Sequence, residues 1–138
     1  MFKFWRKKDP DEDARQARHL KTGEWGEGQA ERLLRGKGYR ILGRRVKVGT
    51  RDEVDLVVRD GKVLVFVEVK TREREDFGRP LAAVDRRKRH ALSRAAVRYL
   101  KKAGNPPAYF RFDVVEVVGS LDDDEAPEMR HIENAFTL

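Results

Sequence analysis

Between Glu53 and Arg72 the chain reads EVDLVVRDGKVLVFVEVKTR, two largely apolar runs on either side of Asp60-Gly61. Their period of two predicts a pair of strands, and the Asp-Gly dipeptide suits the φ > 0 positions of a tight hairpin turn. Val54, Leu56 and Val58 form one apolar set, matched by Val63, Val65, Val67 and Val69. Val57, Leu64 and Phe66 lie on the other face, so both faces are covered, as in the central strands of a layered α/β domain. Two further stretches predict strands, YRILGRRVKV from Tyr39 and YFRFDVVEVV from Tyr109, and MRHIENAF near the end suggests an edge strand.

Helical spacing is clearest from Leu81 to Ala103, where Val84, Ala91, Leu92, Ala95, Ala96, Tyr99 and Leu100 form one stripe. Asn105-Pro106-Pro107 ends it. Thr22 to Lys37 predicts a second helix, stopped by Gly38 in a left-handed cap. Gly23, Gly26, Ala30, Leu33 and Leu34 share one of its faces. Its internal glycines each cost about 1 kcal/mol relative to alanine, a poor choice unless close backbone approach is wanted. Residues 9–20 carry acids at their start, which favour a helix dipole, and read as a short helix or a leader. The expected organisation is a leader at 1–20 and one α/β domain at 21–138.

A chain of 138 residues can bury one good core but not two. No apolar run approaches the ~20 residues of a membrane span. The opening MFKFWRKK has neither the hydrophobic region nor the cleavage site of a secretory signal. Phe2, Phe4 and Trp5 leave a short interfacial anchor open, with a docking or frayed terminus the plainer reading. Cysteine is absent, which excludes disulfides and thiolate zinc sites and fits a reducing cytoplasm. A net charge of +7 and a pI near 9.9 suggest a polyanionic partner. The distribution sharpens that expectation. Arg86 to Phe112 contains no Asp or Glu, yet carries Arg86, Arg87, Lys88, Arg89, Arg94, Arg98, Lys101, Lys102 and Arg111. A stretch of one sign fits contact with a phosphate backbone and also fits a solvated helix face. Asp122 to Glu125 lacks the pattern of a calcium loop, and His19 and His131 have no visible partner.

The candidate chemistry lies in the hairpin. With Asp60 and Gly61 as a two-residue loop, Asp55 falls opposite Phe66 and Glu53 opposite Glu68. Alternation then puts Asp55, Glu68 and Lys70 on one face, with the two carboxylates as diagonal neighbours. Two convergent carboxylates beside an ammonium suit a divalent cation held against a phosphate, and the same residues also suit a structural ion pair at a strand end. Helical spacing turns Glu27 toward the sheet while leaving Glu24 and Glu31 in solvent. It also turns Lys88 inward among Val84, Ala91, Leu92 and Ala95, either to the same region or to snorkel round the helix end.

These residues occur in an order that resembles the YraN-like family of small bacterial proteins. The resemblance runs through Gly26-Glu27 and Ala30, Gly38-Tyr39-Arg40-Ile41-Leu42, Glu53-Val54-Asp55-Leu56 and Val65-Phe66-Val67-Glu68-Val69-Lys70 with Arg72. It continues through Phe77-Gly78, Val84, Lys88, Arg111-Phe112-Asp113-Val114-Val115 and Ala135-Phe136. That family in turn resembles Holliday-junction resolvases and the restriction-endonuclease-like PD-(D/E)xK superfamily. The family carries glycine before the position of Glu53, where this chain has Asp52.

The resemblance implies a three-layer restriction-endonuclease-like fold with a central mixed β-sheet flanked by helices. It implies Asp55 and Glu68 as metal-binding carboxylates, the Val69 carbonyl as a further ligand, and Glu27 at a second metal or an outer water. Lys70 would orient or deprotonate the attacking water, and Glu53 would be an extra carboxylate. Arg72, Lys88 and Arg111 would contact phosphate, with Arg86, Arg87, Arg89 and Arg94 adding basic surface. Hard oxygen ligands suit Mg²⁺ or Mn²⁺. The expected function is a metal-dependent endonuclease hydrolysing DNA phosphodiester bonds, with branched or repair-intermediate DNA as a candidate substrate and RNA open. The alternative is a non-catalytic nucleic-acid-binding module on the same fold. No membrane partner is expected, and a homodimer would suit two-armed substrates.

Overall fold

The computed structural model describes residues 9–74, 85–103 and 109–137. The first eight residues, Phe77-Gly78, Val84 with the expected helix start, and the Asn105-Pro106-Pro107 break lie outside the described residues. The elements run α1 (Pro10–Gly36), β1 (Arg40–Val48), β2 (Asp52–Asp60), β3 (Val63–Arg72), α2 (Arg86–Lys102), β4 (Tyr109–Val118) and β5 (Glu128–Phe136). The strands form one sheet in the order β1-β2-β3-β4-β5. Neighbours are antiparallel except β3 and β4, which are parallel. A parallel pair needs a crossover between its strands, and α2 lies in that connection.

Each sheet face has its own apolar cluster. Leu56, Val58, Val65, Val67, Val115 and Val117 pack with Ala30 and Leu34 of α1. Val57, Leu64, Phe66, Phe112 and Val114 pack with Leu92, Ala95 and Ala96 of α2. The expected three layers, a mixed sheet between helices, are therefore present, and the α2 stripe is the predicted one over its described part.

One helix stands where the sequence suggested a leader or short helix followed by a second helix. Asp9 caps it by accepting from Asp11 N at 3.0 Å, Pro10 sits in the first turn, and Asp11, Glu12 and Asp13 complement the dipole. At the far end Gly38 takes φ +88°, donating its N–H to Arg35 O, while Tyr39 donates to Leu34 O. Of the internal glycines, Gly26 alone needs its missing side chain: a Cβ there would lie 2.0 Å from Thr71 Oγ1, whereas Gly23 and Gly28 face open space. Gly26 lets α1 approach β3 closely.

The hairpin turn differs by one residue from the expected one. Asp60 pairs with Val63, so Gly61 and Lys62 form the loop, with Gly61 at φ +57°. Every partner therefore moves by two residues. Such a shift changes neighbours and keeps faces.

Candidate active site

The β2–β3 ladder runs from Asp60↔Val63 to Leu56↔Val67 and ends there. Beyond that point β2 continues along β1, through Val46↔Val54 to Val48↔Asp52. β3 continues along β4 as far as Arg72↔Val118. The sheet forks just beyond Leu56↔Val67, and the register of that ladder makes Asp55 and Glu68 the next residues across from one another rather than diagonal neighbours. Val69 N–H donates to Asp55 Oδ2 at 2.9 Å, so a side chain takes the hydrogen bond that a strand would have taken. N–H and C=O of one strand residue point the same way, and the Val69 carbonyl faces the fork too.

The alternation of β2 slips at the same place. Leu56 and Val58 pack on the α1 face, but Val54 joins Val57 on the α2 face instead of joining the Leu56 set. Across from Asp55, between the pairs Arg44↔Leu56 and Val46↔Val54, Arg45 adopts φ +45°. A non-glycine residue there stores local strain.

Glu68 is 6% exposed and its Oε2 has no hydrogen-bond partner. Lys88 Nζ of α2 is 3.6 Å from that oxygen, beyond hydrogen-bond range. Burial pushes the Glu68 carboxyl up to about 7, the Asp55 charge and hydrogen bond add to this, and Lys88 and Lys70 pull it back. Two carboxyls so placed share a proton when nothing else neutralises them. Lys70 is half-buried, follows Glu68 on the same face, and has no ion-pair partner among the described residues.

A divalent cation fits this donor set on one observation: a buried carboxylate oxygen is left without a hydrogen bond, its nearest cation being Lys88 Nζ at 3.6 Å. Two carboxylates with a backbone carbonyl are the hard oxygen donors that Mg²⁺ or Mn²⁺ takes alongside water. The other expected carboxylates stand apart. Glu27 accepts from Arg45 Nε at 2.8 Å. Glu53 is exposed and pairs in register with Lys47, not with Glu68 as the expected turn would have it. Among the described residues no group of three or more His, Asp or Glu side chains is arranged to hold a metal. Glu31, expected in solvent, is held by Arg44 and Arg35.

The basic residues divide. Arg86, Arg87 and Arg89 are exposed on α2. Arg94 binds Asp52 at 3.2 and 3.4 Å. Arg72 donates to Glu116 Oε1 at 3.2 Å. Arg111, expected at a phosphate, does not reach the site. It lies on the α1 face, with donors committed to Asp113, Asp60 and the Tyr39 hydroxyl.

Two polar features were missed in the sequence. Glu116 is fully buried on the face shared by Phe112 and Val114, opposite Lys70 on β3 and Arg130 on β5. Its Oε2 is also without a hydrogen bond. An acid continuing the alternation of Phe112 and Val114, two residues beyond the latter and flanked by valines, was the available signal. His131 does have partners, Asp113 Oδ2 at 2.8 Å and Lys37 Nζ at 2.9 Å. Asp113 also accepts from Arg111 and from Asn134 N. Burial acts to raise the Asp113 carboxyl, but these bonds together hold it below the usual range.

A forked mixed sheet between helices, carrying a buried Glu68 beside a half-buried Asp55 with lysines near, defines a protein of restriction-endonuclease-like architecture. Residues 26–117 match the model of uncharacterised protein family UPF0102, and the chain belongs to that family, the YraN-like one of the sequence reading. It is 45% identical over 116 residues to the UPF0102 protein of Symbiobacterium thermophilum, covering 84% of this chain and 96% of the relative. It is 45% identical over 118 residues to that of Geotalea uraniireducens, covering 84% and 89%, and 41% identical over 116 residues to that of Geobacter sulfurreducens, covering 84% and 88%. Among the described residues no helix is long and apolar enough to cross a membrane.

Proposed function

We propose that the chain is a metal-dependent endonuclease of the bacterial cytoplasm, hydrolysing phosphodiester bonds of DNA at the fork between β2 and β3. The observation that carries this reading is the Asp55–Glu68 pair: a buried carboxyl beside a half-buried one, with one Glu68 oxygen lacking a hydrogen bond and two lysines near. Such a pair costs stability unless a cation uses it. Asp55, Glu68 and the Val69 carbonyl would hold Mg²⁺ or Mn²⁺, which when bound supplies Lewis acidity and an activated water. Lys70 stands on the same face to orient that water and offset charge developing on the phosphoryl group. Lys88, brought to Glu68 by α2, guards the charge balance of the pair and adds a cation toward the phosphate. Branched or repair-intermediate DNA is the proposed substrate class, and a symmetric dimer would suit it.

Purified protein is to be incubated with linear, nicked, flap and four-way-junction DNA and Mg²⁺ or Mn²⁺, beside Asp55→Ala and Lys70→Ala. Cutting by wild type that both variants abolish is the expected result. Absence of metal-dependent cutting on every substrate, with binding unchanged in the variants, rejects the nuclease. One observation favours that second reading, a nucleic-acid-binding module: Glu27 is held by Arg45, away from the carboxylate pair.

A further inference from the structure

The first turns of α2 face two ways. Lys88 points in toward Glu68. Arg87, His90, Ala91 and Arg94, spaced as one helical face, point instead toward the β1–β2 turn and line a cleft of about 680 Å³ with Arg51, Asp52 and Arg86. A second hollow of about 460 Å³ shares Arg86, His90 and Arg94 and adds Arg89, Ser93 and Thr137. Among the described residues Asp52 is the one acid in the two linings, and its charge is already paired. It is 6% exposed and accepts from Arg94 Nη2 at 3.2 Å and Nε at 3.4 Å, with Arg51 Nε at 4.0 Å. What remains toward solvent is a concave surface of guanidiniums and one imidazole.

We propose that this cleft binds a backbone phosphate of duplex DNA, separate from the phosphate held at Asp55 and Glu68. It gives the strand a second anchor on the same helix. Asp52 acts as a positioning residue that fixes the Arg94 guanidinium in the wall. Guanidinium groups are suited to phosphate because their planar donors match its oxygens, and a field of one sign focused in a hollow attracts a polyanion. The proposal rests on the nuclease reading for the identity of the strand, but it needs neither metal nor cutting.

The test measures binding of a short fluorescein-labelled DNA duplex by anisotropy, in EDTA, across a salt series. Arg51→Ala/Arg87→Ala removes two exposed cleft arginines that carry no core packing. It is compared with Arg32→Ala/Arg40→Ala, which removes the same charge from α1 and β1. The cleft variant is expected to bind roughly fivefold more weakly or worse, with a salt slope shallower by about 0.9 per lost phosphate contact. Control and wild type should agree within about twofold. Equal weakening by both double variants would mean diffuse charge attraction and would overturn the cleft, as would a cleft variant indistinguishable from wild type. Asp55→Asn, assayed alongside with metal, reports on the nuclease separately. A wild type that never cuts DNA, while the cleft variant alone binds weakly, supports the anchor and rejects the nuclease.

Discussion

Glu68 and Asp55 are the residues on which the proposed chemistry turns, and their cost is measurable without any substrate. At neutral pH in EDTA the pair must hold a proton or keep charge at a buried position that Lys88 and Lys70 only partly offset. Glu68→Gln removes that conflict, so the variant should be more stable than wild type, by up to roughly 3 kcal/mol, the worth of a shift from 4.5 to about 7. Added Mn²⁺ should raise the urea midpoint of wild type and leave Glu68→Gln unmoved, because only wild type gains by binding. A variant less stable than wild type in EDTA would mean the carboxylate is structural. Glu116 should behave in the opposite way. Its Oε1 receives Arg72 at 3.2 Å and lies 3.5 Å from Arg130, so Glu116→Gln should cost about 1–3 kcal/mol. The pairing of β2 with β3 as a hairpin was legible in the sequence, and parity survived the turn error: moving the loop from Asp60-Gly61 to Gly61-Lys62 shifted partners by two, a step that keeps faces. The fate of Arg111 was not legible. Its carboxylate partners include Asp60, distant in sequence and brought near only by sheet order.

At the scale of elements, α1 tests the claim that glycine is kept for contact rather than for turns. Gly23→Ala and Gly28→Ala meet open space and should stabilise the protein by about 0.5–1 kcal/mol each. Gly26→Ala should destabilise it, because its Cβ would press on the Thr71 side chain and push the helix off β3. Thermal midpoints of the three variants decide the matter, and three equal gains would refute the close approach. The sequence pattern could not separate these glycines, since each is compatible with the same helical period. Nor could it join residues 9–20 to the helix, because exposed polar residues give no periodic signal there. Caps were more informative: Gly38 was read correctly from a rule that depends on local backbone alone. The central strands were equally plain, being apolar on both faces. What periodicity could not show was the fork, where β2 parts from β3 and alternation slips at Asp55.

Across the whole molecule two buried acids set opposite pH slopes. Asp113, held below its usual 3.8 by His131, Arg111 and the Asn134 N–H against the pull of burial, contributes stability that is present above that value. That contribution is lost as pH falls through the still lower folded value. Glu68 is raised from 4.5 to about 7, so its contribution is full below 4.5 and is lost as pH rises toward 7. The unfolded chain binds more protons in the first window and fewer in the second, which fixes the two signs. The metal-free protein should therefore be most stable near about pH 4–5 and decline toward neutrality, unusual for a protein proposed to work in the cytoplasm. Denaturation midpoints in EDTA across this range test both arms. Glu68→Gln should flatten the neutral arm, and Asp113→Asn should lower stability most at neutral pH while flattening the acid arm. Mn²⁺ should restore wild type near pH 7, since a bound cation replaces the shared proton. Wild-type stability that climbs from pH 5 to 7 in EDTA would show that the carboxyl pair is not strained, and the fork would then have lost its physical reason to bind a metal.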